Sequence, residues 1–143
     1  MKQTLFIIAL GIILSSCCEP SGIEGIQICD QFIDSNRFQA RCTSQDSISS
    51  TSSFISISTQ VVNVNAEEII VFRIFDSLTG ETIIEYSDTL ENTGESRVNS
   101  ERCIWDLVHS FELPEGSEWP KGRMEATIEI NKLPPILRGY FSF

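Results

Sequence analysis

A chain of 143 residues has the material for one hydrophobic core and too little for two. Its 20 acidic residues outnumber 10 basic ones, and the formal charge of −10 repels nucleic acid and anionic lipid, both of which are bound through Lys and Arg. No basic patch offsets that field, so nucleic acid is excluded as a partner.

The first residues are of another kind. Lys2 supplies a positive start, and Leu5-Phe6-Ile7-Ile8-Ala9-Leu10-Gly11-Ile12-Ile13-Leu14 is an apolar run of the length of a signal-peptide core. It is too short for a membrane span, which needs about 20 apolar residues. Leu14-Ser15-Ser16-Cys17 then resembles a bacterial lipobox. The resemblance implies that residues 1–16 are a lipoprotein signal peptide and that the Cys17 thiol receives a diacylglyceryl group, with a further acyl chain on the new amino terminus. Cleavage before Cys18 would place Ser15 at the recognition position, where an aliphatic residue is required. Two or three chains anchor a protein stably where one does not, so the implied partner is a lipid bilayer and the implied location the bacterial outer membrane, on either face.

Without the signal, nine basic residues face the same 20 acidic ones. Residues 17–24, with Glu19-Pro20-Ser21-Gly22, read as a lipidated tether, and residues 25–143 as one domain. Cys18, Cys29, Cys42 and Cys103 remain, and four thiols in an oxidising compartment allow three complete pairings. Cys29 and Cys42 are the candidate disulfide, because they flank a short loop containing the turn-rich Asp34-Ser35-Asn36; closing it contributes about 3 kcal/mol. Cys18 lies beside the lipid, and Cys103 is expected as a buried, unpaired thiol.

Strand signals fill the rest. Ile26-Gln27-Ile28-Cys29 and Phe38-Gln39-Ala40-Arg41-Cys42 alternate with period two, while residues 43–53 are Ser/Thr-rich and read as a low-complexity loop. Residues 54–62 place Ile55, Ile57 and Val61 on one face and Ser56, Ser58 and Gln60 on the other, with a phase shift at Val62-Asn63-Val64 that predicts a bulge or bend. Residues 69–75 are apolar on both faces apart from Arg73, the pattern of a central strand. Asp76-Ser77-Leu78-Thr79-Gly80 predicts a hairpin turn, and residues 81–86 its returning strand. Residues 87–101 are polar and predict an exposed excursion. Trp105, Leu107, His109, Phe111 and Leu113 share one row, and Met124, Ala126, Ile128 and Ile130 alternate with Arg123, Glu125, Thr127 and Glu129 without a slip. The apolar terminus, Leu137 to Phe143, must be paired and buried.

About seven or eight strands with no helical period predict an all-β antiparallel sandwich. From Phe54 onward the order also resembles immunoglobulin-like modules of bacterial cell-envelope proteins. The matching parts are the hydrophobic strand and turn over residues 69–80, Trp119-Pro120-Lys121-Gly122, the alternating strand over 124–130 and Phe141-Ser142-Phe143. The resemblance implies an immunoglobulin-like sandwich; the Cys…Trp…Cys spacing of antibody domains is lacking.

Catalytic chemistry finds little footing. His109 is the single histidine, and Cys103 lies six residues away on one strand, roughly 20 Å at 3.3 Å per residue. There is no Gly-x-Ser-x-Gly turn and no phosphate-cradling glycine loop. Glu125 and Glu129 are about 13 Å apart, beyond a glycosidase pair. Glu112, Glu115 and Glu118 crowd one turn without the Asp-x-Asp-x-Asp-Gly pattern of a calcium loop, so no metal or cofactor is expected. Trp119 in its turn and Tyr86 on an edge hairpin are the candidate ligand contacts, since either ring could stack on a sugar. Asp46-Ser47-Ile48, Asp76-Ser77-Leu78 and Asp88-Thr89-Leu90 each resemble the O-glycosylation acceptor of Bacteroidota-type bacteria, which makes Ser47, Ser77 and Thr89 candidate modification sites. The expected function is a non-catalytic cell-envelope lipoprotein, a binding or accessory module for an envelope protein or glycan. A surface glycan-binding lipoprotein is the first alternative and a small envelope hydrolase the second.

Overall fold

The computed structural model describes residues 21–32, 45–99, 102–131, 133 and 137–143. Among these residues the strands are β1 (Gly22–Cys29), β2 (Phe54–Val62), β3 (Ile69–Asp76), β4 (Thr82–Thr89), β5 (Gly94–Asn99), β6 (Arg102–Glu112), β7 (Arg123–Ile130) and β8 (Leu137–Ser142), with a helical turn, α1 (Leu90–Thr93), between β4 and β5. They form two four-stranded antiparallel sheets. The first has the order β1-β2-β6-β5 and the second β4-β3-β7-β8.

Alternation decides what each sheet buries. Ile55, Ile57 and Val61 of β2 and Trp105, Leu107 and Phe111 of β6 meet Ile70, Phe72 and Ile74 of β3 and Met124, Ala126, Ile128 and Ile130 of β7 in one core. Each of the Ile, Val, Leu, Met and Phe side chains contributes about 1.5–3 kcal/mol by leaving water. β3 is central, as its apolar composition predicts, with Val71 and Phe75 half-buried on its outer face.

Local chemistry shapes the connections. The β3–β4 hairpin closes as predicted: the Asp76 carboxylate accepts the N–H of Leu78 at 2.7 Å and of Thr79 at 3.1 Å. Gly80 follows with φ of 73°, a left-handed conformation that a Cβ would strain. β2 ends where predicted, at Asn63, whose φ is 54°. The register slip in β1 falls between Glu24 and Ile26, where Gly25 stands as the extra residue of a bulge.

Two expectations are corrected and a third, the loop before β2, is extended. Residues 87–99 are not an exposed excursion: Leu90 is fully buried and Thr93 nearly so, and the chain crosses there from one sheet to the other. Glu68 and Ala66 carbonyls accept the N–H groups of Leu90 and Glu91, so polar composition hid a short buried crossover. Gly94 is needed beyond it, because a Cβ there would lie 2.3 Å from the Asp106 carbonyl oxygen. Residues 45–53 form no strand, yet they are built into the fold. Ile48 is 3% exposed, Gln45 N–H donates to Ile28 O, and Asp46 and Ile48 bond to Ser142, so this stretch joins the ends of β1 and β8. Gly22, Ile23 and Glu24, assigned to the tether, belong to β1. The alternating stretch from Phe38 to Cys42 lies outside the described residues.

Candidate functional site

β1 runs from Gly22, beside Val62, to Cys29, beside Ser56, which gives the sandwich two distinct ends. The end near Gly22 carries the 63–68 turn and α1. The far end carries residues 45–53, the β3–β4 hairpin tip and the 113–122 connection. Cys17 and Cys42 lie outside the described residues. Cys29 is buried, 2% exposed, and Cys103 is half-buried; no disulfide links these two.

The aromatic candidates are not ligand platforms. Trp119 is 4% exposed: its indole N–H donates to Ser52 O at 2.8 Å, and its ring lies parallel to that of Phe143. The ring packs on the far end of the core and leaves no face for a sugar, which corrects the ligand-contact reading. Tyr86 sits on the edge strand β4, but its inward row sends it across the gap between the sheets to stack on His109, centroids 3.7 Å apart. That stack corrects the second candidate. Burial is the main reason the Tyr86 hydroxyl titrates above its ordinary value, and it donates to Asp88 at 3.2 Å. The Asn92 side chain and the Thr89 N–H hold Asp88 below the usual carboxylate range.

His109 completes this cluster from β6, with Phe111 against its edge and Phe72 at 5.9 Å. Desolvation lowers its pKa to about 4, so the ring is neutral at ordinary pH. The rings against His109 are those of Tyr86, Phe72 and Phe111, with no serine, threonine or cysteine among these ring contacts. Glu112, Glu115 and Glu118 are exposed, and among the described residues no group of three or more His, Cys, Asp or Glu is placed to hold a metal ion.

The acceptor hydroxyls differ in access. Ser47 is exposed, whereas Ser77 donates to Arg123 O at 2.8 Å. The Thr89 hydroxyl is buried, so a sugar there would require the strand to open; this corrects Thr89 as a modification site.

The sequence reading passed over both outer sheet faces. On the first sheet, register aligns Glu24, Gln60, Asp106 and Glu95 across four strands. The Gln60 amide donates to Asp106 at 2.5 Å, Arg102 reaches Glu24 at 2.8 Å, and a small depression of about 100 Å³ lies over this row. On the second sheet, Glu85, Arg73, Thr127 and Arg138 form the corresponding row. Arg73 pairs with Glu85 at 2.5 Å and Glu129 at 3.5 Å, and Arg138 with Glu125 at 2.7 Å. A groove of about 470 Å³ runs between these pairs and the β3–β4 hairpin tip. Arg123 lies 4.9 Å above the ring of Tyr140, which is 47% exposed and stands across from Glu125 on the same face. The signal for this face was present in Arg73, Glu85, Glu125 and Arg138, but only the strand order reveals that they share it. No family model, curated protein or solved structure matches this chain.

Proposed function

We propose that the protein is a non-catalytic, lipid-anchored module of the bacterial outer membrane, an immunoglobulin-like domain that binds an envelope partner through its sheet faces and far-end loops. Strand order supports the domain reading. With the strands lettered A, B, C, C′, D, E, F and G in chain order, the sheets read A-B-E-D and C′-C-F-G, the immunoglobulin-like arrangement. The buried, neutral His109 supports a non-catalytic role, because the single imidazole is spent on packing.

The observation that carries the anchoring is one of polarity. β1 begins five residues after Cys17, so the acylated cysteine joins one end of the sandwich, while Ser47 and the hairpin tip lie at the other. In this reading attachment rests on the acyl chains carried by Cys17. Ser47, exposed at the far end, is the favoured site for an O-linked sugar.

Growth with an alkyne-bearing fatty acid tests the anchor. The native protein is expected to take up the label and sediment with membranes, and Cys17→Ala to do neither. Label on Cys17→Ala, or an unlabelled native protein, would overturn the reading. Protease shaving of intact cells, with a periplasmic protein as control, assigns the membrane face. An intact-mass increment lost in Ser47→Ala but retained in Thr89→Val is the outcome expected for the sugar.

A further inference from the structure

We infer that the outer face of the β4-β3-β7-β8 sheet binds a neutral polysaccharide chain, in the groove between the β3–β4 hairpin tip and β8. The inference rests on the non-catalytic binding reading and is independent of the lipid anchor. The groove is about 470 Å³, within the span of about 300–1,000 Å³ usual for small-ligand sites. Its lining is polar: Arg73, Asp76, Thr82, Glu85, Glu125 and Arg138, with Phe75 half-buried among them.

Charge selects the ligand. Arg73 is neutralised by Glu85 and Glu129, and Arg138 by Glu125, so neither guanidinium has charge to spend on an anion. The chain as a whole carries −10 and repels polyanions. Yet each guanidinium has five N–H donors and each carboxylate several lone pairs, and the pairs consume only part of them. Mutual pairing also fixes these side chains before a ligand arrives, which lowers the entropy cost of binding. Paired donors and acceptors held side by side match the alternating hydroxyls of a sugar. An apolar peptide would leave them buried and unsatisfied.

The second element is an exposed ring beside a lining residue. Tyr140 lies directly across from Glu125 on β8, two residues from Arg138, and is 47% exposed. Arg123 over its ring holds it on the face where a sugar emerging from the groove would pass. A partly exposed aromatic beside convergent polar groups offers both stacking and hydrogen bonding. This is the role that neither Trp119 nor Tyr86 can fill.

Affinity gel electrophoresis of the full chain tests the assignment, with laminarin, galactomannan, xyloglucan and starch as neutral probes and polygalacturonate as a charged one. At least one neutral probe is expected to retard the protein, and added salt to leave that retardation unchanged, because no net charge is exchanged. Tyr140→Ala and Arg138→Ala should each weaken it about tenfold, and Leu78→Ala, at the exposed hairpin tip outside the groove, should not. Arg138→Ala strips Glu125 of its partner and can loosen the sheet. Tyr140→Ala removes an exposed ring and keeps the test decisive. Failure of every neutral probe, retardation by polygalacturonate alone with loss in salt, or native-like retardation of both variants would overturn the site. Release of reducing ends from a retained polysaccharide would instead overturn the non-catalytic reading and leave the groove standing.

Discussion

The two outer faces of the sandwich follow one rule of alternation and reach opposite results. On the β1-β2-β6-β5 sheet two outward residues of β2 are short: Ser56 and Ser58 are almost fully buried. Ser56 bonds Gln31 O and Ser110, and Ser58 reaches Gln27, so the hydroxyls of this face are consumed in tying strands together. On the β4-β3-β7-β8 sheet Arg73, Glu85, Glu125 and Arg138 are long and charged, and their pairs stand above the sheet as the walls of a groove. Side-chain length therefore separates a face that closes on itself from one that keeps bonding capacity for a ligand.

If the first face is structural, damage there should appear in stability before anything else. The largest effect is expected from Gly94→Ala at the start of β5. The added Cβ would meet the Asp106 carbonyl at 2.3 Å and the Leu107 side chain at 2.6 Å, and backbone cannot yield as a flexible side chain does. A loss of about 3 kcal/mol is expected, read as a lower urea midpoint at unchanged slope. A midpoint within error of the native protein would show that β5 is free to shift and that its pairing with β6 does not hold the face.

The space between the faces gives the next test. His109 binds a proton near pH 6.5 when unfolded but only near pH 4 when folded, because burial disfavours the charged ring. The unfolded state thus binds more protons in that interval, and stability should fall as pH drops from 6.5 to 4, with no contribution from this group above 6.5. Tyr86 and Asp88 form the rest of the cluster, and Asp88, held low by its hydrogen bonds, adds a loss only at more acid pH. Unfolding of His109→Phe across this range should show a smaller slope than the native chain. Parallel curves would mean that the imidazole is solvated in the fold and that the stack on Tyr86 is open.

The sequence made the sandwich legible where period two was clean. β7 alternates without a slip, β3 is apolar on both faces, and the Asp76–Gly80 turn announces its own hairpin. It misled where burial was achieved by few residues. Leu90 is the one buried apolar side chain of the α1 crossover between the sheets, and Ile48 that of a Ser/Thr-rich stretch drawn onto the core. One buried side chain in a polar segment has no period to detect. The candidate groove was illegible for another reason: Arg73 and Arg138 are neighbours in a row only because β7 lies between β3 and β8, and strand order is a long-range property that local patterning does not encode.

Single substitutions in the two rows sharpen the contrast at smaller scale. Ser56→Ala removes a buried hydroxyl with partners at Ser110 and Gln31, and about 1–2 kcal/mol should be lost. Glu85→Ala breaks an ion pair whose members are 28% and 45% exposed, so water screens it, and about 0.5 kcal/mol is the expected cost. Salt distinguishes the two mechanisms. Raising ionic strength from about 0.05 M to 1 M shortens the screening length from roughly 14 Å to 3 Å, which should shrink the Glu85→Ala deficit and leave the Ser56→Ala deficit unchanged. Equal salt responses would mean that the pairs on the groove face are as closed to water as the hydroxyls opposite. A face so closed would have no free donors for a sugar, and the contrast between the two sheets would fail with it.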